Sequence, residues 1–210
     1  MSTPNAATAV SPPALGADGL VLEGIVTTVD ADGRPHLAPM GPIVSDQVDR
    51  LWFRLYQTSN TYRNIKRTGV GVFHVTDDVE LLARTAVDRL ETFPAMAPAR
   101  DVEGWIIEDA CRWYAFRLES LDESTERSAG VARVVACGTR REFFGFNRAK
   151  HAVLEAAILA TRVGILPAQE IGAEFARLAP MVRKTGGAAE VRTFAFLERF
   201  VLDAIDDAHR

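Results

Sequence analysis

Residues 27–43, TTVDADGRPHLAPMGPI, restrict the fold more than any other stretch of the 210-residue chain. Residues 25–29, IVTTV, are β-branched throughout, which suits a pleated strand. Residues 30–33 then supply a turn, with Asp32-Gly33 as its strongest signal. The return arm, residues 36–44, carries Pro39, Gly41 and Pro42. Proline has no amide hydrogen to give a ladder, so this arm cannot pair fully along both edges. Gly41 removes a side chain where another group approaches the backbone closely. Two readings stay open for the arm: an edge strand with a bulge, or one wall of a ligand site formed by Ala38, Pro39, Met40, Gly41 and Pro42.

Strand signals continue downstream, at residues 51–55 (LWFRL), 70–75 (VGVFHV), 111–121 and 131–137. Two helices interrupt them. Thr58 and Ser59 are good caps for one that runs to about Arg67 and stops at Thr68-Gly69. Asp77 or Asp78 caps the other, with Val79, Leu82, Ala86 and Leu90 at helical spacing. Residues 92–104 contain Pro94, Pro98 and Gly104 and read as a loop. Strands with inserted helices over residues 20–145 suit a small antiparallel barrel. From Asn147 the pattern turns helical. Residues 147–163 are apolar on most faces, as in a helix buried by other elements or a partner. Pro167 opens a second helix, Pro180 and Gly186-Gly187 break the chain, and a third helix from Ala188 carries Phe194, Leu197, Val201 and Ile205. The expected domains are a flexible tail over 1–19, a split barrel over 20–145 and a helical subdomain over 146–210.

A net charge of −4 argues against general nucleic-acid binding, which calls for a basic face. No apolar run is long enough to span a bilayer, and the first nineteen residues lack the basic start and apolar core of a signal peptide. A cytoplasmic location without membrane contact is therefore expected. Cys111 and Cys137, far apart in sequence, read as buried thiols and not as a disulfide or zinc half-site.

Two places have site-like chemistry. Thr58, Ser59, Asn60, Thr61, Arg63 and Asn64 group hydroxyls, an amide and a charge where the free N–H groups of a helix start also point. That set serves a phosphate, or plain capping. Asn147, Arg148 and Lys150 open the apolar helix, and two cations there oppose its macrodipole. A bound anion would relieve the cost, and so would acids elsewhere in the chain. His151 and Glu155 share a helix face but have no third ligand near in sequence, so no metal site is expected. No dinucleotide fingerprint, P-loop or nucleophile elbow is present.

In order, DGRPHLAPMG, TSNTYRNI and GVFHVTDD resemble the FMN-binding split barrels, the superfamily of flavin reductases and pyridoxamine-phosphate oxidases. With TDDVELLARTAV, CRWYAFRLES, FGFNRAKHAVLEAAILATR and MVRKTGG, the chain is similar to a narrower group, the DUF447 proteins, over residues 20–205. The resemblance implies an α+β fold, an antiparallel split β-barrel with inserted helices and a C-terminal helical subdomain. It also implies a homodimer with two FMN sites, each lined by both subunits. The isoalloxazine ring would pass Ala38, Pro39, Met40 and Gly41, and the phosphate would meet residues 58–64. The expected function is FMN binding in a flavin-dependent oxidoreductase, with substrate and electron donor unassigned. The alternatives are a non-enzymatic flavin carrier, or the same barrel holding haem or a deazaflavin.

Overall fold

The computed structural model describes residues 11–208. Of the expected N-terminal tail, residues 1–10 lie outside that range. The described chain forms two compact units.

The first unit is built on an eight-stranded antiparallel sheet. Its strands are β1 (Leu20–Val21), β2 (Gly24–Val29), β3 (Pro35–Met40), β4 (Ile43–Val44), β5 (Arg50–Tyr56), β6 (Val70–Val75), β9 (Arg112–Asp122) and β10 (Arg127–Thr139), in the order β1-β4-β5-β10-β9-β6-β2-β3. The sheet curls as a split barrel around Val26, Leu51, Phe53, Phe73 and Phe116, all at most 1 % exposed. Helix α1 (Asn60–Thr68) lies against β2, β3 and β5 and adds Ile65 to that core.

β3 is an edge strand, as its prolines demand. The Asp30 amide donates to the Arg34 carbonyl at 2.9 Å, which fixes the parity of the hairpin. Even-numbered residues of β3 therefore bond to β2, while Pro35, Leu37 and Pro39 turn their backbone groups to the open edge. Both prolines sit where an amide hydrogen would have no partner. Over its own residues β3 carries no bulge: Gly24 to Val29 pair one-to-one with Met40 to Pro35.

Residues 92–104 depart from the loop expectation. They contain β7 (Met96–Pro98), which pairs with β8 (Trp105–Ile107), and the Ala99 amide closes the turn on the Gly104 carbonyl at 2.9 Å.

The second unit gathers residues 76–96, 107–111 and 139–210. It contains α2 (Val79–Ala86), α3 (Arg148–Ala160), α4 (Ala168–Thr185) and α5 (Ala188–Ala208). α2 stops short of the expected Leu90 because Asp88 adopts φ 53°, a left-handed conformation that ends a helix. α3 buries Ala149, Ala152, Val153, Ala156, Ala157 and Ala160 against α2, α4 and α5; small side chains allow that close approach. Pro180 lies inside α4 without breaking it. Proline there forfeits one backbone bond, and the buried stripe Ile171, Phe175, Leu178 and Val182 runs past it on both sides. Gly186 does end α4. A Cβ at that position would stand 2.7 Å from the Val182 carbonyl oxygen and 3.2 Å from Ala149 Cβ.

Cys111 is buried and Cys137 is exposed, both as free thiols. The expectation of two buried thiols is corrected for Cys137. Pairing of β10 with β5 ends at Arg133–Arg50, so the last residues of β10 lack that neighbour. No helix among the described residues is long and apolar enough to cross a membrane.

Candidate functional site

The first turn of α1 is the densest grouping of the residues singled out in the sequence. Ser59 is its N-cap and accepts from the Tyr62 amide at 3.1 Å. The amides of Asn60 and Thr61 meet no acceptor among the described residues, and the first turn carries no acid. That end of the helix is therefore an uncompensated positive pole. Thr58 and Asn60 are exposed, and Ser59 is half-buried. Arg63 folds back over the turn, donating to the Thr58 carbonyl at 3.0 Å and to the Asn60 side-chain oxygen.

Thr61 and Asn64 point inward. Thr61 is 2 % exposed, and its hydroxyl lies 3.3 Å from His36 Nε2 on β3. Asn64 donates to the Thr28 hydroxyl on β2 at 3.0 Å. These two bonds moor α1 to the hairpin, so the helix start stands beside the return arm. His36 was not singled out in the sequence, although it sits inside the hairpin. No local spacing relates residues 36 and 61, and only the fold joins them.

Ala38, Pro39, Met40 and Gly41 are half-buried. The group that approaches Gly41 comes from this chain. A Cβ there would lie 2.7 Å from Val21 Cγ1 and 2.9 Å from Glu23 Oε1. Along the open edge of β3, parity leaves the Leu37 amide and the carbonyls of Pro35, Leu37 and Pro39 without a ladder partner.

Asn147, Arg148 and Lys150 belong to the helical unit, and the other candidates belong to the sheet unit. Asn147 caps α3 by accepting from the amides of Ala149 and Lys150, at 2.9 and 3.1 Å, and donates to the Thr185 carbonyl at 3.0 Å. Lys150 donates to the Asp77 carbonyl at 2.8 Å and pairs with Glu190 at 3.2 Å. Burial works to raise the Glu190 carboxyl, but hydrogen bonds from backbone amides and Lys150 take it below the ordinary carboxylate range. Arg148 is exposed.

A clamp that the sequence did not announce lies next to them. Arg141 grips Asp77 with two bonds, of 2.5 and 3.2 Å, and the Phe144 amide adds a third at 2.6 Å. Burial alone would raise the Asp77 carboxyl; these bonds take it below its usual value. Among the described residues no group of three His, Cys, Asp or Glu side chains is placed to hold a metal.

Two family models cover most of the chain. The N-terminal domain of the protein family of unknown function DUF447 matches residues 22–140, and its companion DUF447 model matches residues 147–199. The chain belongs to the DUF447 family. Among solved structures, an FMN-bound DUF447 protein from Methanosarcina mazei is similar at 22 % identity and a TM-score of 0.70, over 88 % of this chain and 94 % of that one. A flavin reductase domain protein from Arthrobacter sp. FB24 is similar at 20 % identity and a TM-score of 0.50, over 59 % of this chain and 80 % of that one. Both likenesses show a shared fold. No curated protein matches in sequence.

Proposed function

We propose that this DUF447 chain binds FMN in its sheet unit and serves as a flavin-dependent oxidoreductase. The observation that carries the reading is the mooring of α1 to β3 through Thr61 and His36. It sets an acid-free helix start, fit for a phosphate, beside a strand edge fit for a flat heterocycle. The FMN-bound relative from Methanosarcina mazei supports the choice of ligand.

The residues present fit the group. The amides of Asn60 and Thr61, with the hydroxyls of Thr58 and Ser59, would receive the phosphate; Arg63 adds positive charge at the same turn. The buried Thr61 hydroxyl is turned to His36, so its part is to hold the turn in place. The open edge of β3 offers one amide and three carbonyls, which match the mixed donors and acceptors of a flavin's pyrimidine edge. The small side chain of Ala38 keeps that wall low. Asn147 and Lys150 already carry bonds within the helical unit. Bound there, FMN would supply the electron transfer, while the protein binds, orients and shields it.

The test is titration of FMN and riboflavin into the apoprotein, followed by flavin fluorescence. FMN should bind more tightly than riboflavin. Ser59→Ala should weaken FMN alone, by about tenfold or more, as expected for a lost charge-assisted hydrogen bond of roughly 1.5–3 kcal/mol. A wild-type protein that binds neither flavin refutes the reading. Turnover with NADH or NADPH then separates an enzyme from a carrier.

A further inference from the structure

The helical unit carries an open cavity of about 230 Å³. α5 lines it with Phe196, Arg199, Phe200, Asp203 and Ala204, and Arg89 reaches it from the chain just after α2. The α5 positions recur every three or four residues, so they share one helix face. Arg89 is aimed by the backbone. Asp88 takes its left-handed turn at φ 53°, and the Arg89 amide closes the end of α2 on the Arg84 carbonyl at 2.8 Å. Both half-buried rings sit beside a guanidinium: Arg84 is 5.0 Å from the centre of Phe196, and Arg89 is 5.8 Å from that of Phe200. The charges are met unequally. Arg84 pairs with Glu80 at 3.0 Å and with Glu91 at 4.0 Å. Among the described residues Arg89 donates only to the Asp88 carbonyl, at 3.1 Å, and Arg199 forms no hydrogen bond or ion pair. Asp203 lies four residues after Arg199, a spacing that permits a pair, yet the two do not join.

We propose that this cavity binds a small aromatic carboxylate with a hydroxyl or amino group on its ring. The size suits that ligand. A cavity of about 150 Å³ takes benzene, so this one takes a single ring with two small substituents. The walls suit it too. Phe196, Phe200 and Ala204 give apolar contact to the ring, and the few polar groups around them set its orientation. A guanidinium binds a carboxylate through two parallel N–H bonds, and Arg89 and Arg199 both have donors to give. Asp203 narrows the choice. Two cations against one acid leave a single net positive charge, which matches a monoanion and falls short of a phosphate dianion. The Asp203 carboxylate also accepts from a hydroxyl or amine on the ring. Every lining residue belongs to the helical unit, so the assignment is independent of FMN.

The experiment is isothermal titration calorimetry of the full chain with para-hydroxybenzoate, beside its neutral isostere para-hydroxybenzamide, benzoate and inorganic phosphate. Para-hydroxybenzoate should bind one to one with a Kd of about 1 mM or below. The amide and phosphate should each bind at least about tenfold more weakly. Arg89→Gln and Arg199→Gln alter exposed side chains, so the far-UV circular dichroism should be unchanged. Each should weaken para-hydroxybenzoate at least about tenfold. Asp203→Ala should weaken para-hydroxybenzoate and leave benzoate no weaker than before. No binding up to about 10 mM, equal binding of the amide, or binding indifferent to both arginine substitutions overturns the proposal. So does para-hydroxybenzoate binding that FMN competes away, which would give the ligand to the flavin site.

Discussion

Lowering the pH should destabilise the sheet unit through one side chain, His74. It lies on β6 with no exposed surface, and its Nδ1 is 3.1 Å from the Ile25 carbonyl oxygen on β2. Burial pushes its pKa down from 6.5 to about 4, against a smaller upward pull from that carbonyl. The folded state therefore disfavours the imidazolium, while the unfolded chain accepts a proton near pH 6.5. The stability this group contributes is complete above about pH 6.5 and falls away as the pH drops towards the folded pKa of about 4. At 1.36 kcal/mol per pKa unit, the loss between pH 7 and pH 4 is about 3 kcal/mol. That is a large share of the 5–15 kcal/mol typical of a domain. The assay is urea unfolding followed by tryptophan fluorescence, from pH 7.5 down to 4.5, on the wild type and on His74→Gln. Glutamine can donate to the same carbonyl but does not titrate. The variant should start from a lower stability and lose less of it on acidification. Every other ionisable group is common to both proteins and cancels in the difference. Parallel profiles, with a constant offset from pH 7.5 to 4.5, would refute the reasoning.

Three further outcomes follow from packing in the helical unit. Asp77→Asn should cost about 2–3 kcal/mol, because a buried carboxylate bonded to Arg141 and an amide is replaced by a neutral group; chemical denaturation at pH 7 measures it. Ala156, with no exposed surface on α3, should not tolerate glutamate: a loss of several kcal/mol is expected, and an unchanged melting temperature would contradict the described burial. Gly186→Ala should cost about 1–3 kcal/mol, since its Cβ would stand 2.7 Å from a backbone oxygen; thermal melting decides it.

Local signals in the sequence located most elements, and non-local contacts decided what they do. The β-branched run at residues 25–29 and the prolines of the return arm pointed to a strand and an open edge, and both are found as β2 and β3. Ser59 and Asn147 declared themselves as caps because a cap is a contact within three residues. The end of α2 was missed because it depends on one backbone angle at Asp88, a residue type common in many settings. β7 and β8 were missed because three-residue strands are too short to show a period.

The site shows the same division more sharply. Gly41 signalled that something approaches the backbone, and the sequence could not say what; Val21 and Glu23, about twenty residues earlier, already do so. The two cations at the start of α3 signalled an anion in the same way. For Lys150 the chain supplies its own, in Glu190 and the Asp77 carbonyl, 40 residues after it and 73 before. A local pattern thus states a demand, for space or for negative charge, and the fold decides whether the protein or a ligand meets it. At the first turn of α1 the demand is still open. Two amides there lack acceptors among the described residues, no acid lies in that turn, and the hydroxyl of Thr61 is spent on mooring the helix. That unmet demand, more than the hydroxyl count of the segment, is why the proposed phosphate belongs at Asn60 and Thr61 and not at Asn147 and Lys150.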